Sequence, residues 1–582
     1  MMRSGKLPLV PVGNDWAMVL GGRLGRRAGD LTQHAVETTR SRLRLALICF
    51  FIVFSVLGGR LVQLTVLDAA PEQRSAGVHK NNLMRPAITD RNDVVLATQI
   101  TTVTLGADAA KISDGAEMAG QLKAVLPRLN EARAARLLAG KARYVTLMSG
   151  LTPAQKQDVL AFGNPALKLT QSTSRVYPAG EVTAHTVGFT SSDLRGLSGL
   201  ELYLDGLLEE EAIYGALKTS LDIRVQHAVR DVLSDTIKTF SARAGGVLVV
   251  DAHNGEILAL VSLPDFDANA PMRNGQDSHF NRMTLGVYEL GSIFKVFTAA
   301  MALDSGMVAA HETFDTAEPL QIGRYEINDP HGEERPLSIE EIIVHSSNIG
   351  SAKLALRVPQ DVHYDFLQRL GFTDTLDMEL PERTAPLTPT RWTDIERATS
   401  SYGHGISVTP LHAVMAGAAM INGGILYQPS LRKVGLPVGE RVISAQTSAE
   451  LRAMMRAVVA SGTGRQADAP GYQVLGKTGS AEKPQAGGYN KNALVTSFLG
   501  AFPARAPRYA MLVMLDEPQA TDETYGYNLA GWNAAPAAGE IVRRIAPLLG
   551  VLPHFDNPAE QASLALPEIS NQLRGGLADA SR

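Results

Sequence analysis

The sequence predicts a multidomain α+β protein in which helices pack on an antiparallel sheet. Its 582 residues are 45% hydrophobic and 20% charged, which is typical of globular domains and long enough for several of them. In the second half of the chain, short apolar runs of strand character are interspersed with longer stretches of helical periodicity. The strands are predicted at 244–250, 257–262, 496–499 and 509–516, and helices follow Ser292 and Ile339. This arrangement favours a layer of helices on an antiparallel sheet.

Composition divides the chain into five segments. Residues 1–42 form a polar tail, and residues 43–64 are apolar enough to be a transmembrane helix. Residues 65–215 mix short β-rich runs with helical stretches and carry no catalytic constellation. Residues 216–548 contain the polar signatures described below. The tail at 549–582 is polar, and we expect it to be poorly ordered.

The apolar run from Leu45 to Leu57 predicts a single membrane span. Its uncharged core is shorter than the roughly 20 residues that a span usually needs, so Arg44 and Arg60 are expected to extend toward the interfaces. A buried core helix is the alternative. Arginines outnumber acidic residues before the run, which places the N-terminus in the cytoplasm and the rest of the chain across the membrane. A cleavable signal peptide fits less well, because a long tail precedes the run.

The remaining composition excludes several classes of function. The formal net charge of −4 argues against a nucleic-acid partner. Cys49 is the only cysteine and lies in the apolar run, so no intrachain disulfide can form and thiol catalysis is excluded. The 13 histidines show no paired ligand spacing, so we expect neither a metal nor another cofactor. We interpret His345 and His404 as structural.

Three short polar signatures predict a serine acyl-transfer site. They are Ser292-Ile293-Phe294-Lys295, Ser346-Ser347-Asn348 and Lys477-Thr478-Gly479, the last followed by Ser480. A serine hydroxyl is a poor nucleophile and needs an adjacent base, which Lys295 can supply from the same face of a helix that begins near Ser292. A lysine acts as a base only when its pKa is lowered, and Lys477 is the candidate neighbouring cation.

Each signature is weak alone. Ser-x-x-Lys should occur about twice by chance in a chain of this length, and it occurs again from Ser480 to Lys483. That copy follows the strand-like Lys-Thr-Gly segment and has no apolar helical run behind it, so Ser292 is the predicted nucleophile. The three signatures predict an acyl-transfer site only in combination, through their order and spacing.

The predicted strand that carries the third signature supplies further substrate contacts. Gly479 lets backbone approach a substrate closely. The amides of Ser292 and Ser480 are candidates for an oxyanion hole, and the hydroxyls of Thr478 and Ser480 for holding a substrate carboxylate.

These residues resemble the penicilloyl serine transferase superfamily, which includes the penicillin-binding proteins and the serine β-lactamases. Further segments resemble class B penicillin-binding proteins in the same order, namely 85–92, 175–178, 184–189, 199–201, 219–222, 250–256 and 405–411. The resemblance implies a β-lactamase-like transpeptidase domain at 216–548 and a dimerisation-type pedestal domain at 65–215. The chain departs from the family at Leu290, where proline is usual, at Ile293, where threonine is usual, and at Ser480, where threonine is common.

The resemblance implies a peptidoglycan D,D-transpeptidase. Ser292 would attack the penultimate D-Ala carbonyl of a stem peptide while Lys295 accepts its proton. Ser346, between Lys295 and Lys477, would relay a proton to the leaving amine, and Asn348 would orient the substrate amide. An amine of a neighbouring stem would then attack the acyl-enzyme, and β-lactams would acylate Ser292 by mimicking the D-Ala-D-Ala end.

The single span and the pedestal segments are most similar to the division-specific members of the class. By that resemblance, the expected location is the bacterial inner membrane with a periplasmic catalytic domain. The expected partners are a SEDS-family lipid II polymerase and other divisome membrane proteins. An elongation-specific class B enzyme is the nearest alternative. A β-lactam sensor would need a cytoplasmic signalling domain, and a β-lactamase would need its own base for a deacylating water, for which the sequence offers no clear candidate.

Overall fold

The computed structural model describes residues 51–52, 54–55, 85–210, 215–273, 275–330, 332–485 and 487–555. The chain divides into two units, Met1–Met84 and Arg85–Arg582, and the fold below is that of the second. Most of the predicted span and both predicted tails lie outside the described residues, apart from the first few residues of the C-terminal segment. Within the described part, no helix has the length and apolar character needed to cross a membrane.

The first part of this unit is built on a five-stranded sheet. The strand order is β3-β2-β1-β5, with β4 also paired to β2. Its strands are β1 Ile88–Thr89, β2 Val95–Ala107, β3 Val145–Leu151, β4 Leu167–Val176 and β5 Leu217–Lys218. Its helices are α1 Gly115–Val125, α2 Glu131–Leu138, α3 Pro153–Ala161, α4 Ala184–Val187 and α5 Gly199–Glu209. Asp114, Asn130 and Thr152 cap the first three helices by accepting hydrogen bonds from backbone amides of the first turn.

A buried ion-pair cluster connects the ends of this part. Glu201 on α5 is fully buried and accepts hydrogen bonds from Arg85 Nε at 2.6 Å and from Arg175 Nε at 2.7 Å. Arg175 also donates to the carbonyl of Pro86 at 2.8 Å. Because Arg85 precedes β1 and Arg175 lies at the end of β4, this one carboxylate fixes β1, β4 and α5 together.

The second part is a five-stranded antiparallel sheet of order β14-β15-β16-β6-β7. These strands are β6 Ala244–Asp251, β7 Ile257–Leu263, β14 Leu475–Gln485, β15 Gly488–Phe502 and β16 Tyr509–Asp516. Lys477 pairs with Leu499, Leu499 with Leu512, and Leu512 with Leu248, so the register runs straight across the sheet. Strands β6, β7 and β16 are buried along their whole length, which explains their continuous apolar sequences.

Helices cover both faces of this sheet. The long helices are α6 Ile223–Thr239, α7 Phe294–Asp304, α9 Asn348–Arg357, α10 Gln360–Arg369, α12 Pro410–Ile421, α13 Ala445–Ala460 and α14 Ala534–Leu548. Phe498 and alternate residues of the sheet pack with α6 and α14. Leu499 and the other alternate residues pack with α7, α12 and α13. The predicted arrangement of helices on an antiparallel sheet is confirmed. Successive side chains of a strand point to opposite faces of the sheet, which explains why two layers of helices pack on the same sheet.

Short elements complete the unit. They are the strands β8 Thr313–Phe314, β9 Leu320–Ile322, β10 Tyr325–Ile327, β11 Leu337–Ser338, β12 Ile425–Tyr427 and β13 Gly439–Arg441, and the helices α8 Ile339–His345 and α11 Asp394–Ser400. Strands β8 to β11 pair as two small antiparallel ladders between α7 and α8.

Candidate active site

Ser292 lies in a 3₁₀ turn, Gly291–Ile293, that leads directly into α7. Gly291 has a φ of +60°, and a Cβ atom there would lie 2.7 Å from the carbonyl oxygen of Ser480. A side chain would therefore collide with β14, which explains why glycine precedes the serine. Almost all of α7 is buried, whereas Ser292 is half-buried. The rigid helix thus presents one accessible hydroxyl.

Lys295, one helical turn further on, is the centre of a hydrogen-bond network. Its side chain is 1% exposed. Its Nζ atom lies 3.1 Å from Ser292 Oγ, 3.1 Å from Ser346 Oγ and 2.8 Å from Asn348 Oδ1, and it also donates to the carbonyl of Ser346. Burial, and then the nearby Lys477, lower the pKa of Lys295 well below its usual value, while Asp329 opposes the shift. A lysine with a lowered pKa can accept a proton from the adjacent serine.

The second signature forms the junction between α8 and α9. Helix α8 ends at His345, and the next residue, Ser346, has a left-handed φ of 63°. The next residue, Ser347, caps α9 by accepting a hydrogen bond from the amide of Gly350 at 2.9 Å. The chain reverses sharply here, so the side chains of Ser346 and Asn348 both reach Lys295.

Lys477 approaches the same junction from the edge strand β14. Its side chain is fully buried, and its Nζ atom lies 3.1 Å from Ser346 Oγ and 3.2 Å from the carbonyl oxygen of Thr478. Burial lowers the pKa of Lys477 to about 7. The hydroxyl of Ser346 therefore bridges two lysine amines that come from different elements.

The residues after Lys477 form one wall of the site. The Thr478 hydroxyl lies 2.7 Å from that of Thr463. A Cβ atom on Gly479 would lie 2.2 Å from the carbonyl oxygen of Leu290, so β14 packs directly on the turn that carries the serine. Ser480 Oγ accepts a hydrogen bond from the amide of Ala530 at 3.0 Å.

A cavity of about 700 Å³ gives access to these groups. Its lining includes Ser292, Ser346, Asn348, Thr478 and Ser480. The structure therefore brings together all the residues that the three signatures predict, with the two lysines behind the cavity wall and Gly479 at the contact between strand and turn.

The second Ser-x-x-Lys sequence has a different environment. Lys483 Nζ lies 2.8 Å from Asp516 Oδ1 and 2.6 Å from Glu517 Oε1. Burial tends to lower the pKa of Lys483, but these two carboxylates reverse the effect and raise it. A lysine held as a cation cannot act as the base, so the contrast with Lys295 favours Ser292 as the nucleophile.

Asp329 is a site residue that the sequence did not reveal. Its carboxylate accepts hydrogen bonds from Ser347 Oγ at 2.5 Å and from the amide of Ile349 at 3.0 Å, and it also accepts one from the amide of Asn348. It therefore holds the start of α9 and is the negative charge that acts on Lys295. It lies in a loop after β10 with no motif around it, so only tertiary structure reveals it.

Two histidines also line the cavity. His345 Nδ1 lies 3.0 Å from Glu333 Oε1, and His404 Nδ1 lies 3.6 Å from Glu289 Oε2. The sequence places His345 beside the second signature but gives no sign that His404 belongs to the site. In the described part of the chain, no group of three or more His, Cys, Asp or Glu side chains could hold a metal ion.

Comparison with known proteins identifies the family. The model of the penicillin-binding protein transpeptidase domain matches residues 245–543, and that of the penicillin-binding protein dimerisation domain matches residues 80–212. The chain is 37% identical to the probable peptidoglycan D,D-transpeptidase FtsI of Caulobacter vibrioides, over 89% of this chain and 92% of that one. It is 30% identical to the peptidoglycan D,D-transpeptidase FtsI of Escherichia coli K12, over 88% and 92% respectively.

A solved structure supports the same assignment. The crystal structure of penicillin-binding protein 3 from Mycobacterium tuberculosis, complexed with aztreonam, matches with a TM-score of 0.65 and 25% identity, over 83% of this chain and 98% of that one. Two matching domains, relatives aligned over most of their length and a hydrogen-bonded Ser292-Lys295-Ser346-Lys477 network agree with one another. The chain belongs to the class B penicillin-binding proteins.

Proposed function

We propose that this protein is a peptidoglycan D,D-transpeptidase that cross-links stem peptides in septal cell-wall synthesis. The observation that carries the proposal is the 3.1 Å contact between Lys295 Nζ and Ser292 Oγ, made by a buried lysine whose pKa is lowered. A deprotonated amine at this distance can take the serine proton as the hydroxyl attacks a carbonyl.

The network accounts for both proton transfers of acylation. Ser292 Oγ forms a bond to the penultimate D-Ala carbonyl carbon, and its proton passes to Lys295. The bond to the terminal D-Ala then breaks, and the leaving nitrogen receives a proton through Ser346 Oγ, which lies 3.1 Å from each lysine amine. Asn348 holds Lys295 with its Oδ1 atom, and its amide nitrogen donates to the carbonyl of Asn328 at 3.2 Å. The side chain of Asn348 is thus oriented before a substrate arrives.

Strand β14 supplies the substrate contacts in this proposal. An extended stem peptide can lie along the strand, with its terminal carboxylate near the hydroxyls of Thr478 and Ser480. The backbones of Gly291 and Ser480 are adjacent, since a Cβ on Gly291 would lie 2.7 Å from Ser480 O. This proximity supports the amides of Ser292 and Ser480 as an oxyanion hole. The threonine more common at position 480 also has a hydroxyl, so the serine keeps the required group.

The septal role rests on the relatives. Those from Caulobacter vibrioides and Escherichia coli carry the name FtsI and align over nearly the whole chain. A relative from Bacillus subtilis, stage V sporulation protein D, is 30% identical over 89% of this chain, so the class also includes specialised roles. If the protein were instead an elongation-specific enzyme, it would form the same cross-links in the lateral wall.

Anchoring and partners are part of the same proposal. A helix at 43–64 would hold the protein in the inner membrane with the N-terminus in the cytoplasm and the catalytic domain in the periplasm, as the arginine-rich flank favours. A SEDS-family lipid II polymerase and other divisome membrane proteins would be its partners. This role is tested by depleting the protein from cells and rescuing them with a fluorescent fusion of it. A fusion that localises to the septum, together with a block of division on depletion, supports the septal role. A fusion spread evenly along the lateral wall, together with loss of rod shape on depletion, favours the elongation alternative.

Covalent labelling tests the chemistry. Purified protein and a Ser292→Ala variant are incubated with fluorescent penicillin, and intact mass and label lifetime are followed for hours. We expect one stable adduct on the wild type and none on the variant. An adduct that is rapidly lost with release of hydrolysed drug would indicate a β-lactamase. A wild type that forms no adduct would contradict the mechanism.

A further inference from the structure

Glu289 and His404 form a carboxylate-imidazole pair at the wall of the catalytic cavity. Glu289 is 7% exposed. Its Oε1 atom accepts hydrogen bonds from the amide of Gly405 and from the hydroxyl of Tyr489, each at 3.0 Å. Its Oε2 atom is buried, makes no hydrogen bond, and lies 3.6 Å from His404 Nδ1. One oxygen therefore anchors the carboxylate while the other is directed at the imidazole.

The imidazole ring is held against Tyr489. The ring centroids of His404 and Tyr489 are 4.1 Å apart, and the rings are inclined by 32°. With Nδ1 directed at Glu289, Nε2 is the ring nitrogen that remains for a proton transfer. His404 is 37% exposed and lines the cavity that contains Ser292.

The loop that carries His404 also packs on the nucleophile turn. Gly403 has a φ of +78°, and a Cβ atom there would lie 2.3 Å from the carbonyl oxygen of Gly291. No side chain fits at this contact, so the backbone before His404 touches the backbone before Ser292. Backbone contact thus places the loop that carries His404 next to the turn that carries Ser292.

A histidine whose Nδ1 faces a buried carboxylate is well suited to accept a proton at Nε2, because the carboxylate selects the tautomer and stabilises the imidazolium that forms. In the free protein Lys295 contacts Ser292, Ser346 and Asn348 on the inner side of the site. An incoming amine enters from the open cavity, which is the side that His404 lines.

We propose that His404 accepts the proton of the amine that attacks the acyl-enzyme, and that Glu289 is the positioning residue for its imidazole. This inference rests on the proposed transpeptidase function and assigns a residue to its second half-reaction. The acceptor is a primary amine of a second stem peptide.

Transfer to the acceptor amine replaces the serine ester by an amide. The amine nitrogen forms a bond to the acyl carbonyl carbon, and one of its protons passes to His404 Nε2. The bond from that carbon to Ser292 Oγ breaks, and Oγ takes a proton delivered by solvent. His404 returns its proton to solvent, so that overall one amine proton has moved to the serine and an amide has replaced the ester.

The test separates the two half-reactions in the purified full chain. Fluorescent penicillin measures acylation of Ser292. A thioester analogue of the donor stem, with D-alanine as the probe amine, measures transfer to an amine against hydrolysis by water. His404→Gln should lower the ratio of amine transfer to acylation at least tenfold, and Glu289→Gln, which keeps a hydrogen-bond acceptor, should lower it less. His311→Gln, an exposed histidine outside the cavity, is the matched control and should leave the ratio unchanged.

The pH profile gives a readout that a purely structural role would not change. The groups that face the His404 ring are Glu289, Tyr402 and Tyr489, and the charged side chains Glu482, Asp329 and Arg465 line the same cavity. In the wild type, amine transfer should have a pH dependence of its own beside that of acylation. In His404→Gln that separate dependence should disappear, while the pH dependence of acylation stays.

An unchanged transfer ratio and pH profile in His404→Gln would overturn the inference while leaving the acylation mechanism intact. If His404→Gln also loses acylation, the ratio is read from Glu289→Gln, and an unchanged ratio there overturns the inference. A wild type that forms no Ser292 adduct would overturn both the inference and the proposed function.

Discussion

Lys295 Nζ and Lys477 Nζ each lie 3.1 Å from the same atom, Ser346 Oγ. Both amines are almost fully buried. Two cations so placed would repel each other and lose their hydration, so the site favours a state in which at least one amine is neutral. The shared hydroxyl then gives that neutral amine a path for protons.

Lys477→Met should move the pH dependence of acylation to higher pH. Lys477 is one cause of the lowered pKa of Lys295, so its removal raises that pKa and reduces the neutral fraction of the base at neutral pH. Acylation by fluorescent penicillin should slow at pH 7 and recover at alkaline pH. Lys238→Met, a change at an exposed lysine, is the control and should not move the profile. A Lys477→Met profile that coincides with that of the wild type would refute this coupling.

The same substitution should stabilise the fold. Burial lowers the pKa of Lys477 from 10.5 to about 7, so between those values the unfolded chain binds a proton that the folded protein does not. Wild-type stability should therefore increase with pH across this window. Lys477→Met has no buried amine whose charge is disfavoured by burial, so its free energy of unfolding at pH 7 should exceed that of the wild type by roughly 1 to 2 kcal/mol. Replacing a functional residue often stabilises a protein in this way. Urea unfolding at pH 7 and pH 9 measures both effects, and a Lys477→Met protein less stable than the wild type would contradict the prediction.

Replacing Ser346 by alanine and by glycine should separate chemistry from backbone strain. Both changes remove the hydroxyl that joins the two lysines, and both should slow acylation about 100-fold. Ser346 has a left-handed φ of 63°, which glycine adopts freely and alanine does not. Ser346→Gly should therefore be more stable than Ser346→Ala in thermal unfolding. If glycine restored acylation, strain rather than the hydroxyl would explain the loss.

Asp329→Asn should shift acylation in the opposite direction from Lys477→Met. Asp329 is the group that raises the pKa of Lys295, so neutralising it lowers that pKa further and moves the rise of acylation to lower pH. The change also weakens the bonds that Asp329 accepts from Ser347 Oγ and the amide of Ile349. We expect a loss of roughly 1 to 3 kcal/mol in stability. Asp315→Asn, a change at an exposed aspartate between β8 and β9, is the control. An Asp329→Asn acylation profile shifted to higher pH would contradict the assignment.

Glu201→Gln should be among the most destabilising single changes in the first part of the unit. The neutral glutamine leaves the buried guanidinium groups of Arg85 and Arg175 without the carboxylate that lies between them. Removing one partner of a buried ion pair typically lowers the free energy of unfolding by roughly 3 to 5 kcal/mol. Glu540→Gln, which breaks half-exposed pairs with Arg543 and Arg544, should cost less than about 1 kcal/mol. Denaturant unfolding of the two variants compares them, and equal losses would show that the buried cluster has no special role.

Much of the fold could be predicted from local pattern. Continuous apolar runs indicate strands buried on both faces, and β6, β7 and β16 lie where such runs occur. Ser292 and Lys295 are three residues apart at the start of a helix, so their proximity follows from helical periodicity. The contrast with Ser480 and Lys483 was also predictable, because that pair lies on a strand with no helical run behind it.

Longer-range relationships required the fold. Lys477 and Ser346 are 131 residues apart in sequence, and their contact depends on how β14 packs against the junction of α8 and α9. Asp329 and the pair of Glu289 and His404 carry no local signature, because each is an ordinary residue type in an irregular segment. The sequence by itself predicted the main strands of the second sheet, the helix after Ser292 and the candidate reacting groups, since these depend on neighbours within one or two turns. Only the tertiary structure decided which lysines share a hydroxyl and which histidines line the cavity, because burial and electrostatic coupling depend on distance in space and not along the chain.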